Sequence, residues 1–259
     1  PNSIVSALYK DIPYFTIASK LPTLTHTQKI IILYGIASAL KYLQINNILF
    51  YNLDTNQMYL NRQNEPLIDG FGLSCFQPSF QDISYVAPEL LAYIKYHKNL
   101  HNNNIKEGEQ DNQNIDLTRA HIFAFGYFMI EIITEKKPVL LRRTPERYFY
   151  SYPINLSKQY HDLISNCICA KPEDRLSFDD ILENLQEIVS QNDGISTDLF
   201  NLYRSKFSDV KYFTFSNLVF KYPLSCFLKP DSETLDDEFF DEFTVDGDET
   251  PRPTAENDL

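Results

Sequence analysis

Positive charge is scarce in this chain and nowhere concentrated. Against 35 Asp and Glu there are 23 Lys and Arg in 259 residues, a formal net charge of −12. Basic residues gather only in pairs such as Lys136-Lys137 and Arg142-Arg143. A face that neutralises nucleic-acid phosphates needs a basic cluster or stripe, so nucleic acid is excluded as a partner and the pairs read as solvated surface. Cysteine is sparse too. Cys75, Cys167, Cys169 and Cys226 show neither the C-x-x-C spacing of a zinc site nor the density of a secreted disulfide scaffold, which points to reduced thiols and a cytoplasmic setting. No apolar run approaches the roughly 18 to 20 residues that a membrane span needs, so no membrane partner is expected. The N-terminus also lacks the basic-then-apolar pattern of a signal peptide. The chain opens on Pro1, as a fragment or partial product would.

What is present argues for one main globular domain. Hydrophobic residues make up 43% of the chain and aromatics 14%, enough to bury a sizeable core. The negative charge is unevenly placed. Residues 231–259 hold 12 acidic residues and one basic, leaving residues 1–230 near −1. The interleaved Leu235, Phe239, Phe240 and Phe243 are too few to bury a core, so this tail is expected to stay disordered and either to solubilise the chain or to dock on a basic groove of a protein partner. Residues 98–116, mostly Asn, Gln and charge without an apolar period, read as a disordered insertion.

Periodicity places the helices. Ile30, Leu33, Tyr34, Ala37, Leu40 and Leu43 recur at three-and-four spacing, which predicts a helix over Thr25–Leu43 with one apolar face, capped by Thr25 or Thr27. Leu117–Thr134 contains IFAFGYFMIEII, apolar almost all round, and predicts a helix buried on every side. Tyr160, Leu163, Ile164, Cys167 and Ile168 mark a further helix. Ser177 with Asp180 has the form of a capping box opening Phe178–Val189. Residues 191–230, rich in Phe, Tyr and Leu, read as a short packed extension.

The chain is organised around residues 46–74, NNILFYNLDTNQMYLNRQNEPLIDGFGLS. Gln57–Leu60 and Leu67-Ile68 read as short strands around the polar turn Asn61–Pro66, followed by a glycine-flanked loop. A long helix precedes this stretch and Ala87-Pro88-Glu89 follows it. Together these resemble the catalytic loop, metal-binding loop and A-P-E signature of a eukaryotic protein kinase, most similar to the tyrosine-kinase-like branch through SYVAPEL and the AFGYFMIEIITEKKP run. The resemblance covers about residues 3–189.

That resemblance implies a mainly α fold with small β-hairpins, a kinase-like large lobe with the small lobe largely absent from the chain. Residues 1–22 would be the remnant of a small-lobe strand (Ser3–Leu8), the hinge and the first large-lobe helix, and residues 23–190 the lobe itself. The family's H-R-D-L-x-x-x-x-N falls on Phe50, Tyr51, Asn52, Leu53 and Gln57, and D-F-G falls on Gly70, Phe71 and Gly72. Asn52 thus replaces the catalytic base, and an amide is no base near neutral pH. Gln57 replaces a metal-binding asparagine with a side chain one methylene longer, and Gly70 replaces the carboxylate that holds the bridging metal. Asp54 and Asp69 lie beside the vacated positions, but they read as turn or surface aspartates, Asp69 facing away from the metal position.

Phe50 and Phe71 would keep the family's aromatic packing. Tyr51 replaces the arginine that usually receives an activation-segment phosphate. Tyr59 falls beneath the adenine position, where its bulk disfavours nucleotide, and His121 replaces an aspartate that braces the catalytic loop. Glu89 and Arg175 are expected to pair as their family counterparts do. The implied function is a catalytically inactive, pseudokinase-like interaction module with protein partners, without cofactor. The alternative is a divergent serine/threonine kinase using ATP and Mg²⁺ through an atypical metal site, and a third reading is a helical adaptor with an acidic tail.

Overall fold

Residues 15–45, 53–68, 86–90, 117–138, 140–144, 147–150 and 156–208 are described by the computed structural model. Phe15–Thr16 forms a two-residue strand (β1) that leads into Ile17–Lys20 (α1), whose N-cap Thr16 accepts a bond from the Ser19 N–H. A 3₁₀ turn at Leu21–Thr23 then leads to the long helix α2, His26–Ile45. Its start is a reciprocal cap. The Gln28 N–H donates to Thr25 Oγ1 at 3.2 Å, and the Thr25 N–H donates to Gln28 Oε1 at 2.9 Å. Thr27 does not cap, contrary to one of the two expectations. It lies inside the helix, buried, and its hydroxyl oxygen accepts the N–H of Ser196 at 2.9 Å.

A second correction concerns the burial of α2. Ile32, Gly35 and Ile36 are buried along with the expected Ile30, Leu33, Tyr34, Ala37, Leu40 and Leu43, so the helix is enclosed on more than one face. Three later helices surround it: α3 (Leu117–Thr134), α5 (Phe178–Ser190) and α6 (Thr197–Ser208). Between α3 and α5 runs α4, Lys158–Cys167. The all-round apolar character of α3 is matched by its surroundings. Phe123, Phe125, Tyr127, Phe128, Met129 and Ile132 have no exposed surface, and losing such a side chain to alanine costs about 3 to 5 kcal/mol for Phe.

Backbone approach sets the α3–α4 packing. A Cβ placed on Gly126 would lie 2.5 Å from Ile168 Cγ2 and 3.0 Å from Cys167 Cβ, so only glycine admits this contact. Helix α5 opens as its sequence implies. Ser177 Oγ accepts the Asp180 N–H at 3.2 Å, and Asp180 Oδ2 accepts the Ser177 N–H at 2.9 Å. The Ser177 hydroxyl, 2.6 Å from Asp180 Oδ2, and then the Ser177 N–H hold the Asp180 carboxyl below its usual range.

Tyr59–Leu60 (β2) and Pro66–Leu67 (β3) complete a three-stranded antiparallel sheet of order β1-β2-β3, with Thr16 opposite Tyr59 and Tyr59 opposite Leu67. The β2–β3 turn is made by asparagine. Asn61 Oδ1 accepts the N–H groups of Gln63 and Glu65, each at 2.9 Å, and Asn64 takes φ 59°, a left-handed conformation that Asn tolerates well. A second, unanticipated hairpin pairs Leu140–Thr144 (β4) with Arg147–Tyr150 (β5), with a register shift between Leu140 and Arg142.

Past α5, Thr197–Ser208 forms α6. Phe200 packs edge-on against Tyr34 with ring centroids 5.0 Å apart, and Lys206 pairs with Glu65 of the β2–β3 turn. The fold is mainly helical with small β elements. No described helix is long and apolar enough to cross a membrane. The Ser3–Leu8 strand, the insertion at 98–116 and the tail at 231–259 lie outside the described residues.

Candidate functional site

The stretch from Leu53 to Met58 is a tight turn tied down at both ends. Asp54 Oδ1 accepts the Asn56 N–H at 2.9 Å, and the Asp54 carbonyl accepts the N–H groups of Gln57 at 2.8 Å and Met58 at 3.0 Å. The turn is stitched to the start of α1, where Ala18 N–H donates to the Thr55 carbonyl at 3.0 Å and Ile17 N–H to the Met58 carbonyl at 2.9 Å. Beneath it lies α3. Thr55, fully buried, donates its hydroxyl to Glu131 Oε1 at 2.8 Å, joining two residues 76 positions apart.

Alternation then sorts the side chains. Met58 and Leu60 enter the core with no exposed surface, while Tyr59 between them is half-buried, as the period of an extended segment requires; Gln57, in the preceding turn, is half-buried too. Neither the Gln57 amide nor the Tyr59 hydroxyl has a hydrogen-bond partner among the described residues. The chemistry they offer is neutral. Asp54, the nearby carboxylate, is taken up by its own turn, by the Asn56 side-chain amide at 2.9 Å and by Lys137 at 3.7 Å. Among the described residues no group of three or more His, Cys, Asp or Glu could hold a metal ion.

The structure joins Glu89 to Arg175. Arg175 Nη1 lies 2.6 Å from Glu89 Oε1 and Nη2 lies 2.9 Å from Oε2, a two-pronged ion pair with the Arg175 side chain fully buried. The remaining donors go to carbonyls of Cys169 (2.8 Å), Arg119 (2.8 Å) and Ala170 (3.2 Å), so all five guanidinium N–H groups are used. Phe123 stacks below at 5.0 Å from its ring centroid.

His121 lies buried on α3, away from solvent. Phe50, Asn52, Asp69, Gly70 and Phe71 lie outside the described residues. Sequence reasoning overlooked Glu131 and Thr55. The signal for Glu131 was a lone carboxylate in an otherwise apolar helix, since a buried charge requires a partner. Cys167 is no nucleophile, because complete burial pushes its thiol pKa up, away from the thiolate.

Residues 14–185 match the family described as protein tyrosine and serine/threonine kinase. Over 141 residues the chain is 27% identical to an L-type lectin-domain containing receptor kinase of Arabidopsis thaliana, a stretch covering 50% of this chain and 17% of that protein. Over 119 residues it is 24% identical to an LRR receptor-like serine/threonine-protein kinase of the same plant, covering 42% of this chain and 10% of the relative. The matched stretches thus span under a fifth of either relative.

Proposed function

Because the chain belongs to the protein tyrosine and serine/threonine kinase family, we propose that it supplies the large lobe of a pseudokinase, a signalling scaffold or allosteric binding module that engages other proteins in the cytoplasm. The observation that carries this reading is the state of Asp54. It is the carboxylate next to the vacated base position in the described loop, and its oxygens are occupied by the Asn56 N–H and amide and by Lys137.

Nucleotide and Mg²⁺ do not fit the donor set. Mg²⁺ favours carboxylates and phosphates in near-octahedral geometry, whereas the family's base and ligand positions hold Asn52, Gln57 and Gly70. Tyr59 adds bulk on the strand expected beneath the adenine. Phosphoryl transfer depends on positioning and on charge compensation by the metal, and none of these side chains compensates charge. What remains is a rigid lobe held by the Glu89–Arg175 pair and the α3 core, as an interaction module requires.

A phosphorylation assay with Mg²⁺ or Mn²⁺ and ATP, on the chain joined to any small lobe encoded with it, is expected to show no transfer. Metal-dependent activity that disappears on Asp69→Ala would overturn the proposal and establish a divergent serine/threonine kinase with an unorthodox metal site.

A further inference from the structure

Away from the Asp54–Leu60 loop, the first turn of α2, the last turn of α3, the start of α4 and the segment that follows α5 line a cleft of about 320 Å³. Its polar lining is His26, Lys29, Ser157, Tyr160 and Asn192. Ile133 and Leu156 supply an apolar wall.

The polar lining is rich in donors. Lys29, only 9% exposed, donates to Glu135 Oε1 at 2.6 Å, which engages one of the three ammonium hydrogens. Asn192 Oδ1 accepts the Gly194 N–H at 3.0 Å, so the amide's uncommitted end is its NH₂. Ser157, the N-cap of α4, makes no capping bond, and the first N–H groups of that helix carry no side-chain acceptor. Tyr160 bonds His26 Nε2 through its hydroxyl at 2.9 Å. Burial, and then the nearby Lys29 charge, lower the His26 pKa, so the ring is neutral at neutral pH.

One carboxylate already meets the Lys29 ammonium. Glu135 follows α3 in a left-handed conformation, φ 58°, and sits on Lys29 with its side chain 42% exposed. An ammonium, a free amide NH₂ and an uncapped helix start facing one cleft form an oxyanion-accepting arrangement. From this convergence we propose that the cleft binds a small organic oxyanion, a carboxylate or phosphate ester carrying a compact apolar group against Ile133 and Leu156. The proposal does not depend on whether the chain transfers phosphate.

The test is calorimetric titration of the 259-residue chain with millimolar benzoate, phenyl phosphate and, as the uncharged control, benzyl alcohol. Saturable binding of one or both oxyanions, with none of the alcohol, is expected, and the better binder identifies the head group. Two variants hold the fold while altering the site. Ser157→Asp puts a carboxylate at the helix start, where it caps α4 and keeps or raises thermal stability. Asn192→Asp keeps the oxygen that receives the Gly194 N–H but removes the NH₂ and adds a like charge. Each is expected to weaken oxyanion binding roughly tenfold or more, as losing a charge-assisted bond does. The proposal is overturned if no probe binds, if the alcohol binds as tightly as the acids, or if both folded variants bind the acids unchanged.

Discussion

Glu89 and Arg175 stand 86 residues apart in sequence and 2.6 Å apart in space, and the guanidinium between them has no exposed surface. Its other bonds collect the carbonyls of Cys169, Ala170 and Arg119, so one side chain ties the segment before α5 to the start of α3 and to the segment that carries Glu89. A buried pair of this kind costs most when halved. Arg175→Ala is expected to destabilise the fold by about 3 to 5 kcal/mol, since Glu89 and three carbonyls lose their donors. Chemical denaturation measures it, and an unchanged midpoint would show the pair to be dispensable.

Gly35 and Tyr203 are expected to behave as one site. A methyl at residue 35 would meet the Tyr203 hydroxyl first and Pro66 Cγ next, at 2.5 Å. Gly35→Ala should therefore cost about 1 to 3 kcal/mol by overpacking. Tyr203→Phe in that background removes the nearest obstacle but leaves Pro66, so partial recovery is predicted in a double-mutant cycle. Additive effects of the two substitutions would refute the shared contact.

Thr55→Val keeps the shape of the residue under the candidate loop and removes its hydroxyl. Glu131 then loses the donor at 2.8 Å inside the core, a loss of about 1 to 3 kcal/mol. Hydrogen exchange should quicken first at the amides of Ile17 and Ala18, which are bonded to the Met58 and Thr55 carbonyls of the same turn. Uniform quickening across the whole chain would contradict this local assignment.

The pH response separates two groups. His26 has its pKa lowered from the ordinary value of 6.5 by burial and then by Lys29, so below that value the unfolded chain binds the proton more readily. Stability is therefore expected to fall as pH drops through and below 6.5, until the folded protein also takes up the proton. Asp180, depressed by its bonds from Ser177, acts in a lower window, below the ordinary 3.8. His26→Gln should flatten the upper slope and leave the lower one. A slope between pH 7 and 5 unchanged in that variant would assign it to other groups.

The helices were legible because their information is local. The bounds of α3 agree with the apolar run in the sequence, and the Ser177–Asp180 box is a fixed spacing whose geometry follows from helix termini. Thr27 was misread because a threonine near a helix start looks the same whether it caps or is buried, and its partner Ser196 lies 169 residues away. The β4–β5 hairpin was overlooked because the sequence between its strands lacks the Asn-Gly signal of a tight hairpin. Of the candidate site, the hairpin turn after Leu60 could be read from its residues, but Gln57, expected in the first strand, lies in the turn before it, and the second strand is Pro66–Leu67 instead of Leu67-Ile68. The support below the loop could not be read, since Glu131 reaches Thr55 from a different element. The His26–Tyr160 contact, 134 residues apart, has no sequence signature either.

Helix α2 has a further consequence, for the making of the chain. The three helices that surround it, α3, α5 and α6, all come later in the sequence. As the ribosome extrudes the protein, Ile32, Leu33 and Ile36 emerge before any of these three helices, and the last of the three is complete only at Ser208. At about 5 to 20 residues per second, that interval is on the order of ten seconds. Through it the nascent chain carries an apolar helix that α3, α5 and α6 cover only in turn, with the 12 residues of α6 the last to arrive.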